Sequence, residues 1–228
     1  DAQESRGLGD VYKRQNQGYA NLMKIVSKGF TEGFYYKPRV DLAVLKEYHE
    51  GIIALSACLA GEVARYLQRG MYEDAKAAAL RYQDIFGKGN FFLELQDHGI
   101  PAQRLVNQEL LRMHEETGID LVATNDVHYT RAEDADPHDI LLCLQTNKKL
   151  ADEDRMRYEG GQYYVKSPEE MAELFPYALE ALENTHKIAQ RCHVEIEFGV
   201  TKLPRFDVPD GLTSVSYTHL TLPTIYSV

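Results

Sequence analysis

Three short apolar segments constrain the fold of this chain more than any other feature. Each is only four or five residues long, and stretches with helical spacing of apolar residues lie between them. Short apolar strands that alternate with helices are typical of a parallel sheet with both faces covered. The sequence therefore predicts an α/β fold with strands at Ile52–Leu55, Phe91–Leu95 and Leu121–Thr124.

Helix start and stop signals place the remaining elements. Asp41 is a typical N-cap, Gly118 a typical helix end, and Ser167-Pro168 a typical helix start. An alternating pattern predicts a further strand at Val194–Phe198. The predicted helices are Gly18–Phe30, a short one after Asp41, Glu62–Arg69, Tyr72–Phe86, Pro101–Thr117, Pro137–Leu150, one starting at Ser167, and Ala178–Cys192.

Polar residues follow each of the three predicted strands. Cys58 comes after the first, Gln96-Asp97-His98 after the second, and Asp126 and His128 after the third. Parallel α/β sheets place their chemistry at the carboxyl ends of the strands. Residues i and i+2 of a strand share a face, so Asp126 and His128 are expected to point the same way. A carboxylate, an imidazole and a thiolate together make a workable metal clamp.

Structural explanations compete with this interpretation. A single cysteine such as Cys58 is more often a small buried hydrophobe than a ligand. His98, next to a glycine, fits a turn histidine that hydrogen-bonds the backbone, and His128 fits a surface histidine. The pairs Tyr35-Tyr36 and Tyr163-Tyr164 could stack on nucleic-acid bases. In an acidic chain, ordinary packing is the favoured role for both pairs.

Charge and cysteine content narrow the functional classes. The net charge is −10, and an acidic surface repels phosphate backbones, so this chain is not expected to be a main DNA-gripping surface. No apolar run reaches the eighteen residues that a membrane span requires. The three cysteines are odd in number and widely spaced, which fits a reducing cytoplasm rather than a disulfide framework.

The two ends of the chain have a different character. Residues 10–15 are the in-frame translation of GATGTGTATAAGAGACAG, an end sequence used in transposon-based sequencing libraries. Residues 215–220 translate its reverse complement in another frame. We therefore expect residues 1–15 and 214–228 to be adapter-derived tails, outside the natural protein.

Several motifs resemble one protein family. The strongest is A-T-N-D-V-H-Y, which ends at Tyr129, and Gln162–Pro204 resembles the family's exit segment. These motifs resemble the PHP domain of bacterial replicative DNA polymerases of the DNA polymerase III alpha-subunit family. The other matching segments are N-Q-G-Y-A-N-L from Asn16, L-S-A-C-L-A-G-E from Leu55, and F-F-L-E-L-Q-D-H-G from Phe91.

The resemblance implies a fold, a chemistry and a ligand set. The family fold is a distorted (β/α)7 barrel with up to three divalent ions (Zn, Mn or Mg) at the strand ends. Its chemistry is phosphoester hydrolysis, and in some replicative polymerases the domain is a 3′→5′ proofreading exonuclease. By motif match, Cys58, Asp126 and His128 occupy three metal-ligand positions, with His98 near the site. The implied partners are DNA, a sliding clamp and a proofreading exonuclease, and the implied polymerase activity is that of a DNA-directed nucleotidyltransferase.

The chain also departs from the family pattern. The opening H-x-H motif, further ligands and the first barrel strands would lie upstream, and the polymerase carboxylates would lie downstream. We therefore expect a partial barrel at residues 16–136, followed by a mostly helical segment at 137–213 that leads towards the palm. This piece is expected to leave an open sheet edge, to lack the full metal cluster and to be inactive alone. Two alternatives are a non-catalytic scaffold of the same polymerase and a free-standing PHP phosphatase.

Overall fold

The computed structural model describes residues 11–13, 16–196, 198–200 and 208. The chain divides into units 1–194 and 195–228, and all the regular elements named below belong to the first unit. Apart from Val11–Lys13, the predicted adapter tails lie outside the described residues. Most of the predicted connection beyond residue 200 lies outside them too.

The elements alternate as expected for an α/β fold, with three parallel strands at the centre. The three predicted strands of the parallel sheet agree with the sequence to within one residue, whereas some helix ends differ. In chain order, the elements are β1 (Val11–Lys13), α1 (Asn16–Thr31), α2 (Leu42–Tyr48), β2 (Ile52–Leu55), α3 (Glu62–Gln68), α4 (Tyr72–Phe86), β3 (Phe91–Leu95), α5 (Pro101–Thr117), β4 (Leu121–Ala123), α6 (Ala135–Thr146), α7 (Pro168–Leu174) and α8 (Leu179–Arg191).

The described sheet has the order β1-β2-β3-β4. β2 pairs parallel with β3, and β3 with β4. One face packs on α3, α4 and α5 through a large apolar core that includes Leu93 and Met113. On the other face, Ile188 of α8 packs against Phe92 and Val122. Both faces are therefore covered, as the apolar strands predict.

The outer edge of β2 is not open, contrary to the sequence-based expectation. Val11–Lys13, within the segment predicted to be adapter-derived, pairs antiparallel with Ile52–Ala54. Strand pairing uses backbone groups that every residue carries, so an edge accepts a neighbouring extended segment largely regardless of its sequence. The expected open edge assumed that only a strand of the family's barrel could pair with β2. Another part of this chain, Val11–Lys13, pairs there instead.

Of two predicted elements after the sheet, one has different ends and the other does not form in the described residues. α6 starts two residues earlier than predicted, after a 3-10 turn at Ala132–Asp134, and stops at Thr146. Asn147 ends it in the left-handed conformation (φ 54°), which Asn tolerates better than most residues. Of the predicted strand at Val194–Phe198, residues 194–196 and 198 are irregular. An alternating pattern forms a strand only where a neighbouring strand is available to pair with it.

One ion-pair cluster ties α3 to α4 and carries a pH prediction. Arg81 Nη2 donates to Glu62 Oε1 (2.7 Å) and Tyr82 Oη donates to Glu62 Oε2 (2.6 Å). Burial alone would raise the pKa of Glu62, but these two hydrogen bonds, together with the charges of Arg81 and Arg65, lower it below its usual value. Burial and Glu62 together raise the pKa of Tyr82 to about 12.

We expect Glu62→Gln to lower the free energy of unfolding by about 1 kcal/mol at pH 7, since the carboxylate is partly exposed. A carboxylate with a lowered pKa stabilises the fold fully above pH 4.5, and the effect disappears as the pH falls through the folded-state pKa. Urea denaturation at pH 7 and pH 3 measures the difference, with the exposed Glu115→Gln as the control. An equal loss at both pH values would contradict the assignment.

In the part of the chain that the structure describes, no helix is both long and apolar enough to span a membrane.

Candidate metal centre

The chain turns sharply after β2, and this turn positions Cys58. Ser56 Oγ accepts the Glu94 N–H (2.9 Å), which fixes the end of β2 against β3. Ala57 then adopts a left-handed backbone with φ 66°, which costs a non-glycine residue conformational energy. Cys58 is half-buried at the mouth of a small cavity between the strand ends and α5. Burial raises the pKa of its thiol, and the charges of Asp126 and Glu94 raise it further.

Asp126 and His128 follow β4 and lie side by side. Asp126 Oδ2 is 3.3 Å from His128 Nε2. These atoms are close but not aligned as a hydrogen bond, and Nε2 is buried with no hydrogen-bond partner among the described residues. Asp126 is itself left-handed, with φ 43°. We call the edge formed by the residues that follow β2, β3 and β4 the rim. It contains two strained non-glycine residues, Ala57 and Asp126, and such strain concentrates at functional sites.

Residues 158–164 pack against the segment after β4 and cover His128. Tyr163 O accepts the backbone N–H of His128 (2.8 Å), and Asn125 Nδ2 donates to Tyr164 O (2.7 Å). The rings of Tyr158 and Tyr163 lie 4.2 Å and 5.7 Å from the His128 ring. Burial, with a contribution from Asp126, raises the pKa of Tyr163 to about 12. His128 is therefore not a surface histidine, since its side chain is only 16% exposed.

His98 is adjacent to the rim, but both of its ring nitrogens are occupied. Nε2 donates to Asn125 O (2.9 Å), and Nδ1 accepts from Gln103 Nε2 (2.8 Å). The ring stacks on Tyr163 at 4.1 Å. Burial lowers the pKa of His98, which favours the neutral ring that this hydrogen-bond pattern requires. In this arrangement His98 holds the Asn125 backbone in place instead of offering a nitrogen to a metal.

Two further residues lie next to the rim although the sequence did not predict them as site residues. Glu94 is buried within β3, where its carboxylate accepts from Thr124 Oγ1 and from Gln96 Nε2 (3.2 Å). The strand F-F-L-E-L is otherwise apolar, and the only sign of a site residue in it is that Glu94 is charged. His138 on α6 places its ring 5.7 Å from that of His128. Burial, and secondarily His128, lowers its pKa, but nothing in its local sequence indicates this contact.

The donor atoms at the rim have the chemistry of divalent-ion ligands, but they are not gathered around one point. A thiol, a carboxylate and an imidazole with an unused, buried nitrogen are suitable ligands for zinc or a related ion. Across residues 16–196, however, no three His, Cys, Asp or Glu side chains are close enough together to hold a metal ion. Asp126 and His128 are therefore in contact after β4, whereas Cys58 follows β2, and β3 lies between these two strands.

Comparison with known proteins identifies the family. The PHP domain family matches residues 9–98. The chain is also 44% identical over 204 residues to the DNA polymerase III subunit alpha of Deinococcus radiodurans. The chain is a PHP-domain relative of bacterial DNA polymerase III alpha subunits. Relatives from Treponema pallidum and Thermus aquaticus, both DNA polymerase III subunit alpha, are 43% and 41% identical over 204 and 206 residues.

The alignments cover most of this chain but only a small part of each relative. The alignments cover 87%, 90% and 88% of this chain but only 15%, 17% and 17% of the three relatives. The chain thus spans about one sixth of the length of the polymerase subunits that it matches. Of the predicted site residues, Cys58 and His98 fall within the PHP match, whereas Asp126 and His128 lie beyond it.

Proposed function

We propose that this chain is the PHP segment of a replicative DNA polymerase alpha subunit and contributes to a metal-dependent phosphodiesterase centre acting on DNA 3′ ends. The observation that carries the proposal is the 3.3 Å approach of Asp126 Oδ2 to the buried His128 Nε2, which has no hydrogen-bond partner among the described residues. A buried polar nitrogen without a partner is costly, and a metal ion would remove that cost. The similarity to DNA polymerase III alpha subunits supports DNA as the substrate.

Each rim residue has a distinct role in this proposal. Cys58, Asp126 and His128 hold a divalent ion, whether zinc, manganese or magnesium. A bound ion of this kind lowers the pKa of a water ligand and neutralises phosphate charge. Tyr158 and Tyr163 pack against the His128 ring and exclude water from that side.

The same proposal includes a domain arrangement. Residues 16–136 form part of a (β/α)7 barrel, and 137–213 lead towards the polymerase palm. Residues 1–15 and 214–228 are adapter-derived. The complete protein acts in the cytoplasm on DNA, with a sliding clamp and a proofreading exonuclease as partners.

Metal binding by the 228-residue chain tests the site. We expect at most one Co²⁺ per chain, bound weakly, with a sulfur-to-cobalt charge-transfer band from Cys58. The band should disappear in Cys58→Ser and persist in Cys143→Ser, which alters a buried cysteine on α6. A band that survives Cys58→Ser would remove Cys58 from the site. Several ions bound with nanomolar affinity would refute the incomplete cluster.

A non-catalytic scaffold in the same polymerase is the second candidate. One observation favours it, namely that no three candidate ligands among the described residues are within metal-holding distance. In that case the rim would be a structural remnant, and the domain would stabilise the polymerase or dock a separate exonuclease. A free-standing PHP phosphatase is disfavoured, because the relatives named above are polymerase subunits about six times longer than the aligned region.

A further inference from the structure

The loop between α1 and α2 exposes an unusual group of side chains. We call it the aromatic–basic loop, and it consists of Phe34, Tyr35, Tyr36, Lys37 and Arg39. Tyr35 and Tyr36 are 64% and 82% exposed, so the expectation that this tyrosine pair serves ordinary packing was wrong. Phe34, Lys37 and Arg39 are exposed as well.

The backbone holds Tyr36 outward at a conformational cost. Its φ is 59°, a left-handed conformation that bulky residues rarely adopt. The Tyr35 N–H donates to Lys37 O (3.2 Å) and closes the turn around it. Tyr35 is braced on two sides, by the Tyr36 ring at 4.6 Å and by the Arg39 guanidinium 5.5 Å from its ring centroid. The loop therefore presents a ring to solvent on a fixed support.

The local charge is opposite to that of the whole chain. Residues 19–46 contain five basic and two acidic residues, whereas the chain carries −10. Both acids already have partners, since Glu32 pairs with Lys28 (3.2 Å) and Asp41 caps α2 through the Val44 N–H (3.0 Å). Lys37 and Arg39 form no ion pair with any residue that the structure describes. Two cations thus flank the exposed rings without an internal counter-charge.

We propose that the aromatic–basic loop binds single-stranded DNA. The Tyr36 ring stacks on an unpaired base, while Lys37 and Arg39 contact the adjacent phosphates. Exposed aromatic rings interleaved with cations are the usual means of binding single strands without sequence preference. Duplex DNA keeps its bases stacked on one another, so it offers the phosphates but not the base faces. The proposal does not depend on the metal centre.

Fluorescence anisotropy of a labelled oligo(dT) strand, with the 228-residue chain in excess EDTA, tests the loop. Tyr36→Asn should weaken binding about tenfold, and asparagine tolerates the left-handed backbone, so the turn is expected to survive. Lys37→Glu should weaken binding and reduce the salt dependence by about one unit of slope. The matched controls are Lys88→Glu, which makes the same charge change on an exposed turn, and Tyr177→Asn at another exposed tyrosine.

Several outcomes would overturn the proposal. These are undetectable binding of oligo(dT) at low salt, equal affinities for Tyr36→Asn and the wild-type chain, or a duplex of the same length that binds as tightly as the single strand. Circular dichroism establishes that each variant is folded before its affinity is compared. Because EDTA removes bound metal, the anisotropy measures DNA binding without any contribution from a metal ion. A failed loop and a failed metal centre are therefore distinguishable.

Discussion

Replacing Asp126 with asparagine is expected to reduce metal-dependent hydrolysis of a 3′-labelled DNA strand by at least about 100-fold in the polymerase-length protein. Outer partners of metal ligands already contribute about 10–100-fold to affinity or activity, and a direct ligand contributes more. The substitution removes the charge of the carboxylate that approaches His128 Nε2 at 3.3 Å. The size and shape of the side chain stay nearly the same, so the rim should keep its fold.

Asp97→Asn is the matched control for this substitution. Asp97 also follows a strand of the sheet, but its Oδ1 accepts the Gly99 N–H (2.8 Å) and shapes the turn there. Hydrolysis should change little in this variant, and nucleotide incorporation should be unaffected in both. Hydrolysis by Asp126→Asn at the wild-type rate would remove the catalytic proposal and favour the scaffold.

The sequence predicted the sheet well because its strands are buried on both faces. Both ends of Ile52–Leu55 and of Phe91–Leu95 were predicted correctly. A short apolar run between helices is most often a buried strand in a soluble fold. Val194–Phe198 has the alternating pattern of a strand, but pairing depends on distant residues that its local sequence does not reveal. The opposite holds for Val11–Lys13. This segment was not predicted as a strand, but its backbone pairs with β2.

The proximity of Asp126 and His128 was predicted, but for the wrong physical reason. We expected an extended strand to place both side chains on one face, whereas β4 ends at Ala123 and Asp126 is left-handed with φ 43°. An irregular segment after β4, not strand alternation, brings the two side chains together. A left-handed backbone at a non-glycine residue is hard to predict from sequence, because contacts from residues far along the chain stabilise it. Here the contacts come from Tyr163 and Tyr164, which pair with the segment after β4.

The role of His98 shows a second limit of the sequence. An imidazole after a strand end is compatible with a ligand or with a structural histidine, and only its neighbours decide between them. Gln103, in the first turn of α5, occupies one ring nitrogen, and Asn125 O occupies the other. The first partner is close in sequence, but the second depends on the parallel pairing of β3 with β4. Its role thus becomes visible only when the sheet is assembled.

Gly18→Ala is expected to have the largest effect on stability, a loss of about 2–3 kcal/mol in the free energy of unfolding. Gly18 lies on the buried side of α1, where the helix contacts the turn before β2. An added Cβ would lie 2.0 Å from Gly51 O and 2.6 Å from Gly51 C. Both are backbone atoms, so no side-chain rotation can relieve the clash. The helix would have to move, and the hydrogen bond from Asn21 Nδ2 to Glu50 O (2.9 Å) would be disturbed.

Gly29→Ala provides a control within the same helix. A Cβ at Gly29 would meet its nearest atom, Val40 Cγ1, at 3.4 Å, an ordinary packing distance. Alanine favours the helix over glycine by about 1 kcal/mol, so this variant should be as stable as the wild-type chain or slightly more stable. Urea denaturation followed by circular dichroism measures both variants. If both variants lost stability equally, helix packing in general would be responsible. A loss confined to Gly18→Ala would locate the effect at Gly51, because of these two glycines only Gly18 would place an added Cβ within 3 Å of backbone atoms of another segment.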